Sequence, residues 1–132
     1  QEFLDKNSEI NFTSEIDDIY SKCDVISLHL PHTKQTDKLI NNIVITTKLK
    51  KQPIIINTAR GKLVNSKDII YGVKSGKIRG YLCDVLETEP INNDELLLGV
   101  ENIIITPHVG SRTYENVEKQ GIQSIKNLIK KQ

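Results

Sequence analysis

The 132-residue sequence contains no methionine and no tryptophan, only two cysteines, and few aromatics of any kind, 5% of the chain. With no methionine and Gln1 at its start, the chain reads as a piece of a longer or processed protein. Cys23 and Cys83 form no Cys-x-x-Cys and no Cys/His cluster, so no metal site is expected and both read as buried reduced thiols. Long apolar runs are also missing. The longest, Ile54-Ile55-Ile56 and Ile103-Ile104-Ile105, fall far short of the ~20 residues that cross a bilayer, so no membrane partner is expected. Neither sign of charge dominates. Eighteen Lys and Arg against seventeen Asp and Glu leave +1, too little field to favour a nucleic acid. The start also lacks a charged-then-apolar signal, which points to a cytoplasmic protein.

What is present is ordinary globular material, 37% hydrophobic and 27% charged, in a chain long enough for one domain. After a short alternating run at 10–12, Ser14 stands as a helix N-cap with acids following in the first turn. Strands are expected at 24–28, 53–57, 81–85 and 103–106, as apolar runs of the kind buried on both faces of a parallel sheet. A short helix is expected at 42–50, weakened by its β-branched residues. Another follows Asn65 and Ser66 and ends at Gly76. A long one runs from 113 to 131 with an apolar stripe of Val117, Ile122, Ile125, Leu128 and Ile129. Strands alternating with helices predict an α/β fold with a parallel sheet, whose ligands bind beyond the carboxyl ends of the strands.

Polar residues cluster at that edge. His29 follows the first strand, Arg60 the second, Asp84 and Glu89 the third and His108 the last. An Arg fork can clamp a carboxylate, and an imidazole can exchange a proton near neutral pH with a carboxylate orienting the ring. That set suits oxidation or reduction of a 2-hydroxy or 2-keto acid. Each member also has a plain reading: Arg60 in a surface ion pair, His108 in a solvated turn, Glu87 and Glu89 in a charged loop, His32 as ordinary surface and Cys83 as core.

Three ordered segments narrow the choice. They are Cys23-Asp24-Val25-Ile26-Ser27-Leu28-His29-Leu30-Pro31 with Thr36; Ile56-Asn57-Thr58-Ala59-Arg60-Gly61-Lys62-Leu63-Val64; and Asp84-Val85-Leu86-Glu87-Thr88-Glu89-Pro90 with Thr106-Pro107-His108-Val109-Gly110-Ser111. Together they resemble the D-isomer-specific 2-hydroxyacid dehydrogenases, a family that includes D-3-phosphoglycerate dehydrogenases and hydroxypyruvate reductases. The resemblance implies a partial Rossmann-type parallel sheet flanked by helices, with residues 1–132 forming the C-terminal part of an NAD-binding domain. The helix at 113–131 would reach toward a substrate domain outside this sequence.

The resemblance further implies that Arg60 binds the substrate carboxylate, Glu89 supports the imidazole and His108 donates and accepts the proton. Asp84 would meet the nicotinamide carboxamide. His29, Leu30, Pro31, Thr36, Thr58, Ala59 and Gly110 would line the coenzyme cleft, with Arg60 and His108 also beside the coenzyme. The coenzyme would be NAD, with NADP open. The partner would be a small 2-hydroxy or 2-keto acid, and the full-length form a homodimer.

Two departures stand out. Gly110-Ser111-Arg112-Thr113 replaces the family's more usual Gly-Gly-Ser-Thr type of stretch, and no Gly-x-Gly-x-x-Gly occurs anywhere. The loop that would cradle the pyrophosphate is therefore not in this sequence. The isolated chain is expected to be marginally stable and inactive. Two other readings share these residues: a nucleotide-sensing corepressor like the C-terminal-binding proteins, and an inactive truncated remnant.

Overall fold

The computed structural model describes residues 10–130. Its centre is a four-stranded, all-parallel sheet in the order β1 (Val25–Leu28), β2 (Ile54–Asn57), β3 (Gly80–Cys83) and β4 (Ile103–Ile105). Register runs Ser27 to Ile56 to Leu82 to Ile104. Helix α1 (Ile16–Lys22) enters β1, helix α2 (Ser66–Lys74) connects β2 to β3, and helix α3 (Tyr114–Ile129) follows β4. The expected α/β class and strand positions are therefore found. The short run at 10–12 forms no strand.

The core lies on one face of the sheet. Ile26, Leu28, Ile55, Tyr81 and Cys83 point into it and meet Tyr20 of α1, Ile45, and Ile69 of α2. Along β1 the pattern alternates, with Val25 half exposed and Ile26 buried. Burial on both faces is thus corrected to burial on one. Every described helix that packs on the sheet covers the same side, and Ile104 on the other side is 59% exposed.

Local chemistry explains the element ends. Asn65 caps α2 by accepting from the Asp68 N–H at 3.2 Å, and Gly76 leaves the helix at φ +72°. Ser14 does not cap α1. Glu15 occupies the cap position without a side-chain bond to a helix N–H, and the neighbouring Thr13 hydroxyl accepts from the Glu15 N–H and donates to Asp18. The helix expected at 42–50 is a π turn, Val44–Lys48. Thr46 and Thr47 donate hydroxyls to the carbonyls four residues back, at 2.7 Å each, which loosens the α-helical ladder.

Helix α3 forms as expected, capped by Thr113; Lys131, the end assigned from sequence, lies outside the described residues. None of its side chains is buried, so the stripe from Val117 to Ile129 stays in solvent. Among the described residues no helix is long and apolar enough to cross a membrane. Cys23 and Cys83 are free, with Cys83 buried and Cys23 only partly so. Burial pushes the Cys83 thiol up to about 11, which keeps it protonated and unreactive near neutral pH.

Candidate active site

The turn after β2 is built by Asn57. Fully buried, it accepts from the Ala59 N–H at 3.2 Å and donates through Nδ2 to the Arg60 carbonyl at 3.0 Å and to Tyr81 Oη at 3.3 Å. This side-chain scaffold throws Arg60 out at the carboxyl edge of the sheet. Arg60 Nη1 donates to the Ala59 carbonyl at 2.6 Å, and among the described residues the guanidinium meets no carboxylate. Among the described residues, the surface ion pair that would have explained Arg60 without function is not formed.

After β3 the chain carries Asp84 and the segment holding Glu87 and Glu89. Glu87 accepts from the Ser66 N–H at 2.7 Å, pinning this segment to the start of α2. Glu89 accepts from the Leu86 N–H at 2.9 Å through Oε1 and meets His108 Nδ1 at 2.7 Å through Oε2. The Leu86 N–H, aided by His108 and against partial burial, holds the Glu89 carboxyl below the usual range. With side chains 37% and 45% exposed, Glu89 and His108 gain little stability from pairing. The effect of the pair is orientation: Nδ1 is occupied, and Nε2 is left to reach a ligand.

His108 stands after β4 at φ +54°, a left-handed conformation costing a non-glycine residue about 1–2 kcal/mol. Asp84 holds it there. Its Oδ1 accepts from the Thr106 hydroxyl and the Val109 N–H (3.0 Å), and its Oδ2 from the Gly110 N–H (2.8 Å). Burial raises the Asp84 carboxyl, but the three donors and His108 outweigh it and leave the group lowered. Asp84→Asn puts an amide N–H against these donors. It is expected to cost about 2 kcal/mol, read as a lower Tm at neutral pH.

Asp84 and Glu89 both titrate lower in the folded chain than in an unfolded one. Their stabilisation is present above the ordinary values of 3.8 and 4.5 and is lost as pH falls through the lower folded values. The Tm difference between wild type and Asp84→Asn should therefore shrink in thermal melts taken below pH 3.8. A difference unchanged down to pH 2.5, a pH chosen about one unit below the ordinary aspartate value, would mean that this carboxylate is no strut.

Arg60, Glu89 and His108 meet on the wall of one cavity of about 190 Å³, together with Gly61, Lys62, Glu87 and His32. Of the other residues assigned from sequence, Asp84 lines a larger cavity of about 630 Å³ together with Glu89 and His108. Thr58 and Asp84, with Thr106, rim a separate slot of about 200 Å³ floored by Ile56, Leu82 and Ile104. His29 and Leu30 line an apolar cavity against α1. Thr36 is spent inside its own loop, donating to the Pro31 carbonyl at 2.7 Å and accepting from the Thr33 N–H at 2.8 Å.

Sequence reasoning missed the scaffold Asn57 and the cavity residues Lys62 and His32. The last of these, read as ordinary surface, stands on the cavity wall. Only Asn57 gave a local signal, as a polar residue closing an apolar run.

A family profile described as "D-isomer specific 2-hydroxyacid dehydrogenase, NAD binding domain" matches residues 2–110. The chain is 35% identical over 116 residues to a glyoxylate reductase of Thermofilum pendens, covering 88% of this chain and 34% of that one. Identity to a hydroxypyruvate reductase of Blautia hydrogenotrophica is 38% over 114 residues, covering 86% and 35%. Among solved structures, a D-lactate dehydrogenase of Treponema pallidum superposes with a TM-score of 0.73 at 33% identity, covering 85% and 38%. The chain thus spans about a third of the length of the curated relatives it matches.

Proposed function

Because this chain belongs to the D-isomer-specific 2-hydroxyacid dehydrogenase family, we propose that it is the C-terminal part of the NAD-binding domain of a longer enzyme that interconverts D-2-hydroxy acids and 2-keto acids. The observation that carries this reading is one cavity holding an Arg60 that has no acidic partner among the described residues and a His108 whose Nδ1 is already taken by Glu89.

In the reductive direction the Arg60 fork holds the keto acid's carboxylate, which aligns the neighbouring carbonyl oxygen with His108. His108 Nε2 delivers the proton to that oxygen as the carbonyl carbon is reduced. In the oxidative direction it removes the hydroxyl proton. Glu89, fixed by the Leu86 N–H, keeps the ring from rotating and so keeps Nε2 aimed at the substrate. NAD(H) would supply or accept the hydride when bound, and the sequence leaves NADP(H) open.

The slot rimmed by Thr58, Asp84 and Thr106 supports this reading. Its apolar floor and polar rim suit a nicotinamide ring with its carboxamide. Asp84 already accepts three hydrogen bonds, so one lone pair on Oδ2 remains for a carboxamide N–H. The sequence holds no glycine-rich loop, so these residues fit only the nicotinamide end of the coenzyme.

By the same reading the full-length protein is cytoplasmic and a homodimer, and sedimentation of the purified protein tests the second point. The activity test is oxidation of NADH and of NADPH by full-length protein with glyoxylate, hydroxypyruvate and pyruvate, followed by chiral analysis of the lactate formed from pyruvate. D-lactate supports the proposal. Absence of turnover with all three, or L-lactate, overturns it.

A further inference from the structure

The cavity wall carries a second imidazole to which the reaction assigns no task. His32 faces the same 190 Å³ cavity as Arg60 and His108. Its Nε2 lies 2.8 Å from Asp37 Oδ1, and among the described residues its Nδ1 has no partner.

The loop bearing His32 and Asp37 does not move independently of Arg60. Lys38 donates its N–H to the Lys62 carbonyl at 2.8 Å and Ile40 to the Leu63 carbonyl at 3.0 Å, while Asn65 donates to the Ile40 carbonyl at 3.0 Å. Lys38 takes φ +49° to make this pairing, and the Thr36 hydroxyl closes the preceding turn on Pro31. Backbone bonds therefore lace the loop to the turn after Arg60. His32 keeps a fixed place relative to the carboxylate clamp.

A ring held at Nε2 by a carboxylate donates there, so the state of Nδ1 follows. Neutral, Nδ1 accepts a hydrogen bond; protonated, it donates one. A hydroxyl can satisfy both states because it donates and accepts. A methyl or a hydrogen satisfies neither and leaves a nitrogen facing an apolar group.

We infer that His32, oriented by Asp37, is a specificity-determining residue that recognises a hydroxyl on C3 of a 2-keto acid whose carboxylate rests on Arg60. This rests on the dehydrogenase reading above. Sites that fully bury such a hydrogen bond discriminate by 10⁴-fold or more, but the His32 side chain is 35% exposed. The expected contribution is about tenfold, the worth of one ordinary hydrogen bond.

The test compares kcat/KM for hydroxypyruvate and for pyruvate in full-length wild type, His32→Leu and His32→Gln. The ratio of the two constants cancels the fraction of active enzyme, so partial misfolding does not disturb it. His32→Leu should lower the hydroxypyruvate-to-pyruvate ratio about tenfold, and His32→Gln, which keeps a donor and an acceptor, should recover most of it. A His32→Leu ratio within about twofold of wild type overturns this inference while leaving the dehydrogenase reading intact, since one hydrogen bond predicts a larger change. A wild type that turns over none of glyoxylate, hydroxypyruvate and pyruvate with either coenzyme overturns both, and one that reduces glyoxylate but neither three-carbon acid overturns this inference alone.

Discussion

Replacing His108 by asparagine in the full-length protein is expected to lower kcat for keto-acid reduction by about 10²–10⁴-fold, the usual contribution of a positioned acid-base group. Asparagine retains a polar side chain that can bond Glu89, so the loop after β4 should keep its course. That course is set by Asp84, whose carboxylate accepts from the Val109 and Gly110 N–H groups. Removing the proton donor thus separates chemistry from folding. Glu89→Gln should cost less, about tenfold, because a glutamine can still accept from Leu86 and hold the ring while losing its charge. The double variant should fall little below His108→Asn alone, since groups that act as one unit are not additive. Steady-state NADH oxidation, checked by circular dichroism melting, measures all three. Retention of more than about a tenth of wild-type kcat in His108→Asn would remove the imidazole from the reaction.

Much of this site was legible in the sequence because strand ends are local. Apolar runs fix β2, β3 and β4, parallel pairing fixes which ends face one edge, and Arg60, Glu89 and His108 stand beyond those ends. The cap at Asn65 and the exit at Gly76 were legible for the same reason, since each acts within four residues.

What was not legible depends on contacts between distant segments. His32 joins the cavity only because backbone groups at 38 and 40 pair with those at 62 and 63, and backbone pairing leaves no mark in residue type. Asp84, expected to face the coenzyme, has most of its bonding capacity committed to residues 22–26 positions away. Ser14 caps nothing because its hydroxyl turns to Glu15 Oε1, a choice among local partners that composition cannot decide. Burial on both faces failed because an apolar run reports what a strand tolerates, whereas the neighbours decide which faces are covered.

The second large effect is expected at Gly61, where fold and chemistry share one contact. A Cβ built there would lie 1.9 Å from both the carbonyl carbon and the oxygen of Leu86, and 2.4 Å from the nitrogen of Glu87. These are backbone atoms of the segment that carries Glu89, so no side-chain rotation can relieve the clash. Gly61→Ala must therefore push the turn bearing Arg60 away from the segment bearing Glu89 and, through it, from His108. The expected loss is about 3 kcal/mol or more, at the upper end of what overpacking costs. For a protein whose total stability is typically about 5–15 kcal/mol, this should appear as a large fall in Tm. Any folded fraction should also lose kcat/KM, because a clamp displaced by about 1 Å no longer aligns the carbonyl with the proton donor and costs about 10²-fold. Gly76→Ala serves as the control. That glycine has nothing within 4 Å and faces only the backbone penalty of φ +72°, about 1–2 kcal/mol, with no path to the cavity. If the two variants melted alike and retained equal kcat/KM, Gly61 would not be the point that sets the spacing between the carboxylate clamp and the acid-base pair.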